Sequence, residues 1–408
     1  MTEKLWSGRF REPLDPAFED WQRSFPFDWR LIPDEIAASR AYAHALGKTG
    51  VLSADEVRNI ERGLEQIAAK ADDKSALEKP GIEDVHHFVE QALVEIIGDT
   101  GFKLHAGRSR NEQIATDLRL YTRRRIDTIA SLLGAVCEAL IEQAEGAGTA
   151  VMPSYTHLQR AEPVLVAHWL LAWVEMLLRD TDRLADCRQR VNVLPLGSGA
   201  VAGPGIVLDR EAMARELKFD GISANSMDAT SDRDFELEFL QVGSHIALHL
   251  SRWAEEMALF STIEYGFVRL PEKYSTGSSA MPQKKNPDLL ELVRGKAGRV
   301  IGAATTLTVT LKGLPLAYNK DMQEAQEPLF DAANTLVQML GIVRGFVEAV
   351  EFDFERMRAA ASAGYLNATA AARYLVSRGV PFRMAHSAVG QAVRLGDAVR
   401  QVQGEDRQ

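Results

Sequence analysis

Cysteine is nearly missing from this chain: Cys137 and Cys187 stand far apart, each inside a helical pattern. Neither a disulfide framework nor a Cys-x-x-Cys metal site can be built from them, which points to a reducing, cytoplasmic setting. Positive charge is also short, with 47 Lys and Arg against 57 Asp and Glu and a net charge of −10. That balance argues against nucleic acid as a partner, because polyanion binding needs a basic face or tail. The one basic run, Arg123-Arg124-Arg125, lies in a helical pattern and reads as a solvated face. No run of about 18 apolar residues exists to span a membrane, and the opening residues lack the apolar core of a signal peptide. Alternating strand patterns are nearly absent, and no internal repeat or low-complexity stretch is visible.

What remains is helix. The 408 residues, 46% apolar and 25% charged, suffice for two or three domains with a substantial core. Apolar residues recur at helical spacing through Phe235, Phe239, Val242, Ile246, Leu250, Trp253, Met257 and Phe260, and again from Leu329 to Val350. Similar patterns over 111–145, 161–191 and 286–312 make five long helices with narrow apolar seams, which bury those seams by bundling. Shorter helical patterns precede them at 33–46, 53–70 and 83–97, the second opening with the cap-like Ser53-Ala54-Asp55-Glu56. Arg378-Gly379-Val380-Pro381-Phe382 reads as a helix stop and a new start. The expectation is an all-α chain in three regions: an N-terminal helical domain over 1–105, a long-helix bundle over 106–351, and a short helical domain over 352–408.

Polar chemistry gathers at the ends of the long helices. Gly277-Ser278-Ser279-Ala280-Met281-Pro282-Gln283-Lys284-Lys285-Asn286-Pro287 reads as a loop feeding a helix, with Pro287 in the first turn and Asn286 as its cap. Free amides and two ammonium groups would there put positive potential beside two hydroxyls, as an anionic substrate requires; a plain Gly/Ser linker is the bland alternative. Gly107 to Gln113 offers a guanidinium, a hydroxyl and an amide, although a capping box of Ser109 with Glu112 explains part of it. Tyr155 to Gln159 carries His157 before a helix whose first turn would hold Pro163, and a lone histidine there is as readily structural. In Ser231-Asp232-Arg233-Asp234 the cap and dipole explain all but Arg233, which is left as an anion ligand, and Leu316 to Glu324 brings a phenol, an amide and an ammonium. The glycine-rich stretch 197–203 follows a helix and lacks a Gly-Lys-Ser/Thr ending, so it reads as a tight turn between helices.

The segment from Gly277 to Pro287 resembles the signature of the fumarase/aspartase superfamily, and its Gln-Lys-Lys form resembles the argininosuccinate lyase family. The other clusters resemble that family's pattern in turn, as do Leu5-Trp6-Ser7-Gly8-Arg9-Phe10 and Glu83-Asp84-Val85-His86, with Glu112 where aspartate is usual. The resemblance implies elimination of fumarate from argininosuccinate to leave arginine, without metal or organic cofactor, in a homotetramer whose sites draw on several chains. Carried over by position, Ser278 is the base, Lys284 and Asn286 hold the carboxylate beside the reacting carbon, and His157 paired with Glu291 assists the acid. Ser24, His86, Arg110, Asn111, Thr156, Arg233, Tyr318 and Gln323 are the implied substrate ligands. Two departures stand out: Gln326 replaces the family's usual lysine, and the chain ends at Gln408, short of the usual C-terminus. The alternatives are another lyase of the superfamily, such as adenylosuccinate lyase or aspartase, a silent crystallin-like protein on the same scaffold, or an unrelated helical-bundle binding protein.

Overall fold

The computed structural model describes residues 12–71 and 81–403, so the Leu5–Phe10 motif lies outside the described residues. Five long helices carry the fold: α1 (Arg110–Ala147), α2 (Val166–Val191), α3 (Asp234–Phe260), α4 (Asp288–Leu311) and α5 (Gln326–Ala349). Their seams are the predicted ones, since every named apolar residue from Phe235 to Phe260 and from Leu329 to Val347 is buried. The shorter N-terminal helices run over Ile32–Thr49, Ala54–Ala68 and Val85–Ile97. In the second, Ser53 and Glu56 form the full capping box.

Strand content corrects the sequence reading. Residues 151–165 form a hairpin of β1 (Val151–Thr156) and β2 (Gln159–Leu165), pairing Val151 with Leu165 and Pro153 with Pro163. Pro163 therefore sits in a strand, not in the first turn of α2, and that helix begins at Val166. Two prolines facing each other at the edge of a two-stranded ribbon lose no ladder bond the ribbon needs, which is why the alternation was hard to read. A second ribbon pairs Thr276–Gly277 with Lys285–Asn286, so Asn286 closes a strand and α4 starts one residue after Pro287, whose carbonyl accepts from Glu291 N–H at 3.1 Å.

The chain divides into two compact units, the described residues of 1–131, 180–248 and 296–338, and those of 132–179, 249–295 and 339–408. In the first, Tyr121 meets Phe330 edge-on at 4.9 Å, and the Arg119 guanidinium lies 4.3 Å from the Phe235 ring. The basic run belongs here and is not a uniformly solvated face. Arg123 donates to Asn192 and to the Leu217 and Lys218 carbonyls, Arg125 lies over Tyr121, and only Arg124, paired with Asp34, is exposed. In the second unit Val136, Leu140, Trp173, Leu177, Leu250, Trp253 and Val343 converge from four helices, with Trp253 edge-on to Phe346 at 5.6 Å. Cys137 and Cys187 are both buried, and neither is joined in a disulfide. Helices Ala368–Ser377 and Phe382–Gln403 flank Gly379, whose φ of 89° makes the predicted stop. No helix among the described residues is long and apolar enough to cross a membrane.

Candidate functional site

A cleft of about 230 Å³ opens in the first unit, lined by residues from four separated segments: Ser24 and Asp28; Glu83, Asp84 and His86; Arg110, Asn111 and Ile114; Tyr318, Lys320, Gln323 and Gln326. Local structure explains each placement. Ser24 precedes a single helical turn, so its hydroxyl reaches Asp28 one turn on, at 2.6 Å. Asp84 caps the helix Val85–Ile97 by accepting from His87 N–H at 2.7 Å, which sets His86 in the first turn. Arg110 opens α1 and reaches Asp84 at 3.0 Å. Gln323 donates to the Gln22 carbonyl at 3.0 Å, tying the turn Lys320–Ala325 to the N-terminal segment.

Charge in this cleft is mixed. Burial, then the neighbouring Asp84 carboxylate, pushes the Asp28 carboxyl up to about 7 against the hydrogen bond from Ser24. Burial would raise Asp84 as well, but Arg110 and His86 outweigh it and hold it below the usual range. Burial raises the Tyr318 phenol, which stays a proton donor. Lys320 lies 3.9 Å from Glu83 and brings the second cation. Gln326 is 4% exposed, and its Oε1 has no partner.

Six of the expected ligands, Ser24, His86, Arg110, Asn111, Tyr318 and Gln323, thus share one cleft. Arg233 does not line it. Its guanidinium is buried at 2% exposure and lies 3.0 Å from Glu236, so the candidate anion ligand is held by an internal carboxylate. Glu112 is likewise internal: it accepts from Ser109 N–H at 3.0 Å and from Gly197 N–H at 2.6 Å. The glycine-rich turn therefore wraps a carboxylate of this chain, with Gly197 and Gly199 at positive φ.

The remaining expected residues belong to the second unit. Thr156 and His157 are exposed at the tip of the β1–β2 hairpin, where His157 and Leu158 adopt φ of 52° and 59°. Two-residue hairpin turns that match the strand twist take positive φ at both central residues, and a non-glycine pair there carries some strain. Ser278, half-buried, accepts at Oγ from Ala280 N–H at 3.3 Å and Met281 N–H at 3.1 Å. Lys284 is exposed. No ion pair between His157 and Glu291 appears among the described residues; Glu291 instead stands 3.9 Å from Arg294 on its own helix. Both are exposed on separate segments, so nothing among the described residues of one chain draws them together.

A larger hollow, about 820 Å³, also lies in the second unit, beside Tyr155, Gln159, Tyr265 and Phe267. Its arginines are spent on backbone, Arg160 on the Ala360 carbonyl at 3.3 Å and Arg356 on the Tyr265 carbonyl at 2.5 Å. None of the expected residues lines it, so chemistry rather than volume locates the site. Asp28 was missed in the sequence, although its i+4 spacing from Ser24 was a usable signal. Glu35 and Asp117 were missed too; with His86 they bring donor atoms within 4.8 Å of one another, a set able in principle to hold a metal. Acids inside apolar-periodic helices give no local hint of each other.

A family model described as Lyase matches residues 8–302, and one described as Argininosuccinate lyase C-terminal matches 365–406. The argininosuccinate lyase of Koribacter versatilis is 61% identical over 392 residues, 96% of this chain and 84% of that protein. That of Acidobacterium capsulatum is 60% identical over 399 residues, 96% and 82% of the two chains. Among solved structures, an EDDS lyase in complex with formate superposes with a TM-score of 0.82 at 29% identity, covering 96% of this chain and 78% of that one. A class II fumarase from Schistosoma mansoni gives a TM-score of 0.80 at 16% identity over 90% and 85% of the chains, a likeness of fold alone.

Proposed function

The chain belongs to the argininosuccinate lyase family and is a carbon–nitrogen lyase, and from that premise we propose how its residues eliminate fumarate from argininosuccinate to leave arginine. Ser278 Oγ takes the proton from the carbon next to a succinyl carboxylate. That proton is weakly acidic, so the carbanion must be held as an aci-carboxylate dianion, and Lys284 and Asn286 supply the positive field. The electron pair then expels the guanidinium nitrogen, which receives a proton on the opposite face from His157, directly or by relay, with Glu291 setting its orientation. Ser24, His86, Arg110, Asn111, Tyr318 and Gln323 bind the substrate, with Thr156 and Arg233 supporting it.

The observation that carries this reading is the convergence of those six residues, drawn from four segments, on one cleft. The named relatives do not favour an adenylosuccinate lyase, an aspartase or a silent crystallin. Assembly completes the site: in a homotetramer, His157 of one chain meets Ser278 and Glu291 of another. Apolar side chains left unburied on all five long helices, including Ile141, Leu178, Leu248, Leu292, Val309 and Ile342, support such assembly. Two buried cysteines outside any disulfide fit a cytoplasmic setting. Fumarate absorbance followed after separate additions of argininosuccinate, adenylosuccinate and aspartate tests the proposal: release from argininosuccinate alone supports it, and release from another of the three, or from none, overturns it.

A further inference from the structure

His86 lines the cleft while only 5% exposed, and its Nδ1 lies 3.1 Å from Glu35 Oε2 and 3.6 Å from Asp117 Oδ2. Glu35 and Asp117 are 1% and 0% exposed. Two carboxyls so close and so dry cannot both ionise cheaply. The hydrogen bonds decide which one does. Glu35 collects donors: Ser39 Oγ at 2.6 Å and Gln113 Nε2 at 3.0 Å on Oε1, the imidazole on Oε2, and Arg108 at 3.6 Å. Asp117 has no donor at either oxygen. A carboxylate there would be bare, whereas a carboxylic acid needs only an acceptor, which Glu35 provides.

We propose that Glu35 carries the charge and Asp117 the proton, shared between the two, and that this pair are positioning residues that accept from Nδ1–H of His86 and so fix the direction in which Nε2 meets the substrate. His86 Nε2 has no partner among the described residues, as a group awaiting a ligand would not. Titration tendencies agree with the geometry. Burial, then the Glu35 and Asp34 charges, drives the Asp117 carboxyl well above the usual range. Burial would raise Glu35 too, but Arg108 and the bonds from His86 and Ser39 outweigh it and leave it lowered. The same three groups as a metal site are disfavoured, because the buried Arg108 already supplies the cation and a second would meet its repulsion.

The inference rests on the proposed substrate for its kinetic arm only. Asp117→Asn replaces the acid by an amide that still donates to Glu35, so KM for argininosuccinate should rise by about threefold, less than in Glu35→Gln. Glu35→Gln removes the anion behind the imidazole and should raise KM about tenfold or more, the worth of one charge-assisted hydrogen bond, with a smaller change in kcat. Infrared difference spectra at neutral pH give an arm independent of substrate and of the fate of Glu35→Gln. The C=O band of a buried, protonated carboxyl should vanish in Asp117→Asn. Persistence of every such band in that variant, loss of activity equal in the two variants, or a melting temperature of wild type raised by Mn²⁺ or Zn²⁺ and not in Asp117→Asn would each overturn it. Wild-type protein that releases no fumarate would sink the substrate reading and leave the infrared result standing.

Discussion

Ser278 and Ser279 are adjacent hydroxyls with unequal surroundings, and the difference is two backbone N–H groups. Those of Ala280 and Met281 point at Ser278 Oγ, so an alkoxide there is met by donors already in place. Ser278→Ala should therefore lower kcat by about a hundredfold to ten-thousandfold with KM little changed, and Ser279→Ala should keep most activity; steady-state fumarate release distinguishes them, and equal losses would unseat Ser278. Gln326 holds a cleft position where the family pattern has lysine, beside Asp28 and Glu83. If it only leaves a peripheral carboxylate contact weak, Gln326→Lys should lower KM for argininosuccinate without moving kcat, and a large rise in KM would mean that Gln326 reads another group. Asp28 makes a prediction about stability. Its carboxyl is raised from 3.8 to about 7 in the folded chain, so the native state retains a proton that the unfolded state releases, and stability is lost as pH climbs through that window. Asp28→Asn should be neutral at pH below about 4 and stabilising above about 7, on the order of 1–3 kcal/mol, read by melting across pH. A constant offset at every pH would contradict the buried acid.

Elements differ in how openly the sequence declares them. Long amphipathic helices are the legible part, because one seam repeats over seven turns of α3 and every member is buried. The hairpin of β1 and β2 was hidden: Pro153 and Pro163 break the expected alternation, and the run Val164 to Leu171 slides into α2 without a cap to mark the change. Site residues carried by element ends, such as Arg110 at the start of α1 and His86 in a first turn, were placed by resemblance to the family's pattern and not by a local signal. Glu35 and Asp117 could not be placed, since their meaning comes from contacts between segments distant in the chain. The glycine-rich turn is a middle case, read as a turn but not as a cradle for Glu112. Gly199 sits at φ 61° with the Gly203 carbonyl against the place a Cβ would occupy. Gly199→Ala should cost about 1–3 kcal/mol through left-handed strain and that collision. A denaturation midpoint unchanged from wild type would show that the turn can move aside.

At the scale of the molecule, the candidate chemistry is divided between two compact units of one chain, the cleft residues in the first and Thr156, His157, Ser278, Lys284, Asn286 and Glu291 in the second. His157 and Glu291, which the proposed mechanism pairs, have no mutual contact among the described residues, and each is exposed on its own segment. Apolar residues facing outward from the long helices would be buried by other copies of the chain, and that assembly is what would join His157 of one copy to Ser278 of another. The claim that each site is built from several chains is tested most directly by mixing two inactive variants, His157→Asn and Ser278→Ala, co-refolded in equal amounts and assayed for argininosuccinate cleavage. With unbiased assembly about a quarter of the sites would receive an intact histidine from one chain and an intact serine from another, and activity should return to about a quarter of wild type. Activity in the mixture no higher than that of the separate variants would contradict the account, because a site drawing both residues from one chain cannot be restored by any mixture.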